Sequence, residues 1–429
     1  MDIRHLIARK QRGGELGEEE IGALVSGYCA GEVAEAQVAA WLMAVWFRGM
    51  GEREATAFTL AMARSGQQLH FELGRGCLVA DKHSTGGVGD KTTLVVAPLV
   101  AACGVPVVKM SGRALGHTGG TIDKLEVIPG LRTDLSPEQM QAQAERIGLV
   151  IAAQSERLVP ADKLLYALRD RISAVDSVPL IASSVMSKKI AAGADAIVLD
   201  VKAGSGAFMR SLPQARLLAE LMVKVGLGAG RRMAALVTDM SHPLGRAVGD
   251  RAELVEALQA LQGRGPADLV ELSLALGERM LLLAGKANTG PAARRLLILA
   301  LESGRARERL AAMVTAQGGD ARLVHEPDRL PPPPTAVIIP ARASGYLRAV
   351  HPRPLGEAVR RLKDAGFPHA ELVLQAVQGD QVRRGQPLAV VAGAPSEAIA
   401  SLLPALGAAF SIGQAAPSPR RLVLAEITG

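Results

Sequence analysis

Residues 81–93 read DKHSTGGVGDKTT and lie between an apolar run at 77–80 and a helix-like stretch at 94–103. A strand, a glycine-rich loop and a helix start in this order are typical of oxyanion sites, because backbone N–H groups turn inward at the positive end of the helix dipole. Lys82 adds a positive charge and Ser84 adds a hydroxyl. The segment therefore predicts a parallel α/β unit with an anion-binding loop.

A second glycine-rich cluster follows one predicted strand later. Residues 109–126 read KMSGRALGHTGGTIDKLE and come directly after the β-branched run 105–108. Either loop alone is equally well explained as a glycine-rich turn that lets a helix pack closely on a strand. Two such loops on successive strands favour one shared anion site, because they bring several polar side chains to it. The candidate phosphate ligands are Lys82, Ser84, Thr93, Ser111 and Thr121.

Neither loop matches a nucleotide-binding fingerprint. The Walker pattern requires Gly directly before Lys-Ser/Thr, whereas Asp90 separates Gly89 from Lys91, and no G-x-G-x-x-G with a following acidic residue is present. We therefore do not expect the anion to be the tail of ATP or NAD.

The pattern of apolar residues divides the chain into regions. Alanine-rich amphipathic helices dominate up to residue 66, β-branched runs alternate with helix-like stretches from 78 onward, and a further helical stretch spans 161–191. Continuous apolar strands are typical of a parallel sheet covered on both faces. The predicted fold class is α/β plus all-α: a small helical domain, a large α/β domain with a mostly parallel sheet, and a C-terminal α+β domain.

Composition narrows the class of protein. The chain has 429 residues, of which 48% are hydrophobic, enough for two or three domains. We expect a cytoplasmic protein without membrane association, because no uncharged apolar segment is long enough to span a bilayer and the first residues lack an apolar signal core. The three cysteines are isolated in the sequence and predict neither a disulfide framework nor a zinc site.

The net charge of +7 and the pI near 9.5 raise the question of nucleic-acid binding. The arginine pairs are scattered along the chain, and aromatic residues make up only 3% of it. Because stacking platforms need aromatic side chains, we expect no nucleic-acid partner. A basic surface and small anionic substrates explain the charge.

Four segments together carry a resemblance to a known family. The run 82–90, the block 111–126, Ala-Leu-Arg-Asp at 167–170 and Ser-Lys-Lys at 187–189 resemble the thymidine and pyrimidine-nucleoside phosphorylase family. The similarity extends from the first helix to about residue 325. It implies a homodimer and discontinuous domains. These are a helical, base-binding and dimerising domain (1–66 and 161–193), an α/β phosphate-binding domain (75–155 and 194–328), and a C-terminal, barrel-sandwich-like domain (336–429).

The resemblance implies reversible phosphorolysis of pyrimidine nucleosides, namely thymidine, uridine and deoxyuridine, to a free base and a (deoxy)ribose 1-phosphate. Inorganic phosphate would be the second substrate and no cofactor is expected. Arg169, Ser184 and Lys188 fall where family members bind the pyrimidine ring, with Tyr166 one helical turn from Arg169. Without the resemblance, surface ion pairs and solvated helix faces would explain these residues as well.

Charge development during the reaction gives these residues roles. Breaking the N-glycosidic bond leaves electron density on the base carbonyls, which cationic donors such as Arg169 and Lys188 stabilise. His83 either donates a hydrogen bond to a carbonyl or protonates the departing base. The resemblance implies His83, Arg169 and Lys188 as the catalytic residues, with phosphate attacking C1′ from the opposite face.

Two positions distinguish this chain within the family. Lys109 resembles the pyrimidine-nucleoside members that accept uridine as well as thymidine, and marks the sugar-specificity position. Some bacterial relatives hold a potassium ion at positions that correspond to Gly89, 91, Leu244, Ala247 and Glu256. Lys91 stands where those members have Thr. We therefore expect no bound metal, with the Lys91 ammonium facing Glu256 in its place.

The C-terminal part departs from the family. Segment 345–380 lacks the family's glycine-arginine loop and is shortened, and Arg360 and Arg361 are the candidates to replace its contacts to the cleft. The motif at 379–388 resembles a biotinyl or lipoyl hairpin, but no lysine follows Lys363, so no swinging arm is expected.

Two other functional classes stay open at this point. An anthranilate-type phosphoribosyltransferase shares the architecture and a related glycine loop, and a catalytically weakened or non-catalytic family member would fit the divergent segment 345–380. The presence of Arg169, Ser184 and Lys188 favours phosphorolysis.

Overall fold

The computed structural model describes residues 2–74, 76–114, 116 and 119–429. Leu115, His117 and Thr118 of the second glycine-rich cluster lie outside the described residues.

The N-terminal part is a run of amphipathic helices, which later helices rejoin. The elements of the first half are α1 (Ile3–Gln11), α2 (Glu18–Cys29), α3 (Glu35–Arg48), α4 (Glu52–Ala63), β1 (Ala80–Ser84), α5 (Thr92–Ala102), β2 (Val107–Ser111), α6 (Thr121–Leu125), α7 (Pro137–Ile147), β3 (Leu149–Ala153), α8 (Pro160–Arg171) and α9 (Val178–Ala191).

The second half completes the α/β layer and adds a C-terminal unit. Its elements are β4 (Ala196–Ala203), α10 (Leu212–Gly228), β5 (Arg232–Asp239), β6 (Ala247–Val248), α11 (Asp250–Leu261), α12 (Ala267–Leu283), α13 (Gly290–Glu302), α14 (Arg305–Ala316), α15 (Arg322–His325), β7 (Ala336–Pro340), β8 (Gly345–Val350), α16 (Pro352–Asp364), β9 (Glu371–Leu374), β10 (Gln381–Val382), β11 (Pro387–Ala392), α17 (Ser396–Ala400), α18 (Leu403–Ala408), β12 (Phe410–Gly413) and β13 (Val423–Thr428).

A six-stranded sheet in the order β13-β5-β4-β1-β2-β3 forms the centre of the described molecule. All neighbouring strands are parallel except β13, which runs antiparallel to β5 at one edge. Helices cover both faces, and α5 is buried along its whole length. The predicted fold class is confirmed, because the helical bundle, the mostly parallel sheet and the C-terminal antiparallel sheets are all present.

The helical bundle is built on large apolar side chains. Trp41 and Phe58 pack edge to face with ring centroids 5.1 Å apart, and both are buried. Helices α8 and α9 pack against α2, α3 and α4 although about a hundred residues of chain separate them. Buried Lys10 and Glu54 form an ion pair within the bundle.

The C-terminal unit contains two small antiparallel sheets, β10-β8-β12 and β6-β9-β11-β7. Strand β6 comes from the α/β region of the chain, whereas β13, the last strand, returns to the central sheet. The predicted boundary at 336–429 is therefore wrong for residues 423–428. The two regions exchange a strand, which ties the C-terminal unit to the sheet that carries the glycine-rich loops.

The first strand is longer than the sequence indicates. Residues 82–84 belong to β1 instead of to the loop that follows it. Side chains alternate across a strand, so Lys82 and His83 face opposite sides of the sheet. Lys82 faces α5, where Thr92 accepts its hydrogen bond. This alternation decides which of the predicted residues reach the site described below.

No helix in the described part of the chain is both long enough and apolar enough to cross a membrane.

Candidate active site

A cavity of about 330 Å³ lies where the carboxyl ends of β1 and β2 meet α8 and α9. Carboxyl ends of parallel strands are the usual place for a ligand in an open α/β sheet. All but one of the predicted site residues line it: His83, Ser84, Thr93, Lys109, Ser111, Thr121, Tyr166, Arg169, Ser184 and Lys188. The exception is Lys82.

The sheet side of the cavity is a wall of hydroxyls and glycines. Gly86 and Gly89 have φ values of +90° and +76°, which only glycine adopts without strain. A Cβ at Gly87 would lie 2.5 Å from Met240 Cε, so a larger residue there would force the Met240 side chain to move. These glycines let Ser84 and Thr93 face the same space as Ser111 and Thr121.

Lys82 lies beneath this wall in a buried ionic network. Its Nζ donates to Thr92 Oγ1 at 2.5 Å and lies 3.1 Å from Asp200 Oδ2. Lys202 Nζ lies 2.8 Å from the same carboxylate oxygen. The direct phosphate contact predicted for Lys82 stays a prediction, because the side chain does not line the cavity.

Asp90 connects this network to the loop above it. Its carboxylate accepts hydrogen bonds from Ser84 Oγ and from the backbone N–H and hydroxyl of Thr92. Burial acts to raise the pKa of Asp90, but Lys202 and Lys82, together with these hydrogen bonds, hold it well below the ordinary range. A carboxylate that stays ionised fixes the orientation of the Ser84 hydroxyl.

Lys124 joins the two glycine-rich loops. Its Nζ donates to the carbonyl of Asp90 at 2.7 Å and to that of Gly119 at 3.4 Å, and lies 2.9 Å from Glu253 Oε2. Burial acts to lower the pKa of Lys124, yet Glu253 and the carboxylates nearby raise it above the ordinary value. One buried ammonium thus sets the spacing of both loops.

The helical side of the cavity presents two cations. Arg169 is buried, and its guanidinium donates to the backbone carbonyls of Ala174, Val175 and Leu180 at 3.3, 2.6 and 3.2 Å. Those carbonyls hold it in one orientation, with its charge 5.8 Å from the Tyr166 ring centroid.

The second cation, Lys188, is held by a carboxylate on the neighbouring helix. Its Nζ donates to Asp162 Oδ2 at 2.7 Å and lies 3.4 Å from Ser184 Oγ, one helical turn earlier. Asp162 gave no signal in the sequence, because 26 residues separate it from Lys188.

His83 is a neutral imidazole in this environment. Burial, and then the charges of Lys189, Lys109 and Lys82, hold the pKa of His83 well below its ordinary value. The ring can donate one hydrogen bond but does not carry a proton to give away near neutral pH. Of the two expected roles, the lowered pKa favours donation to a carbonyl.

Lys109 is a buried amine on the cavity wall. Its Nζ donates to the carbonyl of Lys82 at 2.6 Å and lies 3.6 Å from Asp81 Oδ1. Burial lowers the pKa of Lys109 to about 7, and the opposing effect of Asp81 is partly cancelled by Lys189. The group changes charge in the physiological range.

The loop between β4 and α10 supplies an apolar wall that the sequence did not indicate. Phe208 and Met209 of this loop line the cavity together with Leu218 of α10. Arg353, at the start of α16, donates to the carbonyls of Ser205 and Ala207 in this loop at 3.3 and 3.4 Å. The C-terminal unit therefore reaches the cavity wall through Arg353.

The expectation that Arg360 and Arg361 replace the missing loop contacts is wrong. Arg360 forms an ion pair with Asp364 on its own helix, at 2.5 Å, and neither arginine lines the cavity. Position on α16 explains the difference, because its first turn, which carries Arg353, contacts the β4–α10 loop.

The cavity thus places a wall of hydroxyls and glycines on a parallel sheet opposite a pair of cations on a helical bundle. Residues 4–66 match the helical bundle domain of a glycosyl transferase family, and residues 77–307 match the a/b domain of the same description. The chain belongs to this glycosyl transferase family.

Similar proteins fall into two groups. The pyrimidine-nucleoside phosphorylases of Geobacillus stearothermophilus and Staphylococcus aureus (strain USA300) are each 46% identical over 398 residues, which cover 91% of this chain and 92% of theirs. The crystal structure of anthranilate phosphoribosyltransferase (TrpD) from Thermus thermophilus superposes with a TM-score of 0.59 at 22% identity, covering 74% of this chain and 99% of that one. The latter likeness concerns the fold alone.

We predict that Lys124→Met weakens phosphate use, raising the KM for phosphate about tenfold, because the variant loses the tie between the two loops. It also destabilises the protein by about 3–5 kcal/mol, since Glu253 is left as an unpaired buried charge. The double variant Lys124→Met/Glu253→Met removes that charge and should regain most of the stability, as measured by urea unfolding, without regaining the KM.

Lys10→Met is the matched control, because Lys10 forms a buried ion pair with Glu54 and neither residue lines the cavity. It should cost similar stability and leave the KM for phosphate unchanged. A double variant that regained both stability and KM would show that Lys124 has no part in positioning the loops.

Proposed function

We propose that the protein catalyses the reversible phosphorolysis of pyrimidine nucleosides, with thymidine, uridine and deoxyuridine as substrates. The observation that carries the proposal is the juxtaposition of a hydroxyl-lined oxyanion wall and the Arg169–Lys188 pair across one cavity. The phosphorylases named above are similar to this chain over most of its length. The two family matches, residues 4–66 and 77–307, include both walls of the cavity.

The phosphate is proposed to lie against the sheet. Thr93, Ser111 and Thr121 supply hydroxyls, Ser84 donates to the phosphate by exchanging its hydrogen bond to Asp90, and backbone N–H groups of the glycine-rich loop add donors at the start of α5. Lys82 and Lys202 contribute positive potential from below the wall, although Asp200 and Asp90 neutralise much of it. This environment suits a dianion that must approach as a nucleophile.

The base is proposed to lie against α8 and α9. Arg169 and Lys188 donate to its carbonyl oxygens, Ser184 bonds the ring nitrogen, and neutral His83 donates to a carbonyl. The held orientation of Arg169 supports this arrangement, since a guanidinium fixed by three backbone carbonyls loses little freedom when it binds.

The reaction then balances without a cofactor. A phosphate oxygen forms a bond to C1′ while the C1′–N1 bond breaks, and the electron pair of that bond passes into the pyrimidine ring and onto its carbonyl oxygens. Hydrogen phosphate releases one proton and the departing base takes up one, so the protons balance. Attack opposite the base inverts C1′, and the cations stabilise charge that grows only in the transition state.

The direct test measures base release from thymidine and from uridine by chromatography, with and without inorganic phosphate. We predict that both nucleosides are cleaved and that cleavage requires phosphate. Arg169→Met should lower kcat/KM at least about 100-fold, because a charged donor to the leaving group is lost. Arg171→Met, two residues later and exposed on the same helix, should change it less than about twofold.

Other results of these assays would indicate a different activity. Base release without phosphate would make it a hydrolase. No release from either nucleoside, with consumption of phosphoribosyl pyrophosphate in the presence of anthranilate, would make it a phosphoribosyltransferase. Inactivity in both assays would indicate a weakened family member.

Sugar specificity is proposed to depend on Lys109. Because its pKa lies near 7, the ammonium donor to the sugar is lost as the pH rises through neutrality. We predict that the ratio of kcat/KM for uridine to that for thymidine falls between about pH 6 and pH 8.5. Taking the ratio removes the pH dependence that comes from phosphate and from every group that acts equally on both nucleosides.

Lys109→Met should make this ratio independent of pH and lower kcat/KM for uridine about tenfold or more, the usual worth of a hydrogen bond to a charged group. Thymidine should be affected less. A ratio in the native enzyme that is flat across this range would contradict the role of Lys109 in sugar selection.

We propose further that the protein is a homodimer through its helical bundle. Trp46 and Phe47 at the end of α3 are 43% and 72% exposed, and Leu164 on α8 is 42% exposed. The Trp46 and Phe47 rings pack edge to face with centroids 5.0 Å apart, and α3 contacts α8, with Arg171 at the end of α8 paired with Glu35 at the start of α3. Exposed aromatic clusters of this kind mark protein contacts.

Phe47→Asp should shift the protein from dimer to monomer in sedimentation velocity experiments, because a carboxylate would be buried without a partner. Leu299→Asp is the control, since Leu299 is 55% exposed on α13, which packs against α5, α12 and α14. It should leave the dimer intact. A native protein that sediments as a monomer at micromolar concentration would refute the proposal.

A further inference from the structure

The ammonium of Lys91 lies in a cage of oxygen atoms at the start of α5. Its Nζ donates to the carbonyls of Leu244 and Ala247 at 3.1 and 2.9 Å and to Glu256 Oε2 at 2.5 Å. The side chain is fully buried. Carbonyl and carboxylate oxygens around one positive charge are also the ligand set that hard metal cations prefer.

The cage is closely built around that charge. Glu256 also accepts from the backbone N–H groups of Arg246 and Ala247, at 2.9 and 3.2 Å, which fixes the carboxylate. A Cβ at Gly245 would lie 2.3 Å from Glu256 Oε2 and 3.3 Å from Lys91 Nζ. A Cβ at Gly89 would lie 2.6 Å from the Leu244 carbonyl. Both positions exclude any larger residue.

These residues do not fit a potassium ion of the kind that the family resemblance implies. The ammonium already lies within hydrogen-bond distance of all three oxygens, so a second cation would have to lie against a like charge. The carboxylate of the cage is paired with Lys91. The Lys91 side chain occupies the position that a monovalent cation would take.

The cage connects the first glycine-rich loop to the C-terminal unit. Lys91 follows Asp90 and precedes Thr92, whose side chains belong to the network under the oxyanion wall. The carbonyls that Lys91 binds belong to Leu244, just before β6, and to Ala247, its first residue, and β6 pairs with β9 of the C-terminal sheet. The positive charge in the cage therefore holds the first glycine-rich loop against the chain at the start of β6.

We propose that Lys91 is a built-in, covalently attached substitute for a monovalent cation, and that it positions the phosphate loop so that the enzyme needs no such ion. The kinetic part of the proposal rests on the proposed phosphorolysis. The structural part does not, because the cage can be probed by thermal stability alone.

The experiment compares the native protein, Lys91→Thr and Lys91→Met in choline chloride, potassium chloride and ammonium chloride at equal ionic strength. The native protein should have the same Tm and the same KM for phosphate in all three salts. Lys91→Thr opens the cage and leaves Glu256 without its partner. In choline its KM for phosphate should rise about tenfold, and potassium or ammonium should restore both KM and Tm, because an ion that binds only the folded state stabilises it.

Lys91→Met keeps the bulk and removes the charge, so it should be impaired in every salt, with no recovery in potassium. Lys224→Thr is the matched control. Lys224 is 55% exposed and pairs with Glu52 at the surface, so its variant should behave like the native protein. The nucleoside KM should change less than the phosphate KM in Lys91→Thr, a split that general destabilisation would not produce.

A native protein whose Tm or phosphate KM depends on potassium would overturn the proposal, whether or not the variants fold. A folded Lys91→Thr that is unaffected by the choice of salt would overturn it as well. If base release fails for every form, the proposed function is wrong, and the Tm comparison still decides whether Lys91 replaces the ion.

Discussion

The structure depends on the neutralisation of buried lysines. In the described part of the chain Lys10, Lys82, Lys91, Lys109, Lys124, Lys189 and Lys202 are all buried. An ammonium without a partner in such a place costs several kcal/mol, so the fold must bring a carboxylate to each one. Each has one within 4 Å. Removal of any single carboxylate would leave an unbalanced buried positive charge, so these ion pairs constrain the fold.

Helix α11 shows how the constraint links distant parts of the molecule. It carries Glu253 and Glu256, three residues apart and therefore on one face, where they meet Lys124 and Lys91. Its first turn is held by the C-terminal unit, since Arg251 forms an ion pair with Glu371. The two glycine-rich loops and the C-terminal unit thus share one helix, and the geometry of the oxyanion wall depends on all three.

The sequence predicts those features that are encoded locally. Apolar periodicity predicts the helices before residue 66, the alternating strands and helices from residue 78 onward and the helical stretch at 161–191, and the structure contains all three regions. The spacing of Ser184 and Lys188 on one helix predicts their contact, because residues four apart share a face. Hydroxyls beside glycines predict the oxyanion wall, because the residues that form it are neighbours in the sequence.

Features that depend on long-range contacts cannot be predicted in this way. Asp162, Glu253 and Arg353 are ordinary surface residue types, and only the fold brings them to Lys188, Lys124 and the β4–α10 loop. The pairing of β13 with β5 in the central sheet is not predicted for the same reason, since the sequence of a short apolar strand does not indicate which strand it pairs with. The position of Lys82 beneath the cavity wall is not evident from the sequence either, because the extent of β1 determines the side of the sheet that this side chain faces.

The way in which the buried lysines share carboxylates also explains the charge balance beside the cavity. Lys82 and Lys202 share two carboxylates, Asp200 and Asp90. Among the described residues Lys109 and Lys189 share Asp81 alone, so one positive charge beside the cavity lacks a carboxylate of its own. That excess contributes, after burial, to the lowered pKa values of Lys109 and His83. A dianion in the cavity would supply the missing negative charge, so the same imbalance that keeps His83 neutral favours phosphate as the ligand.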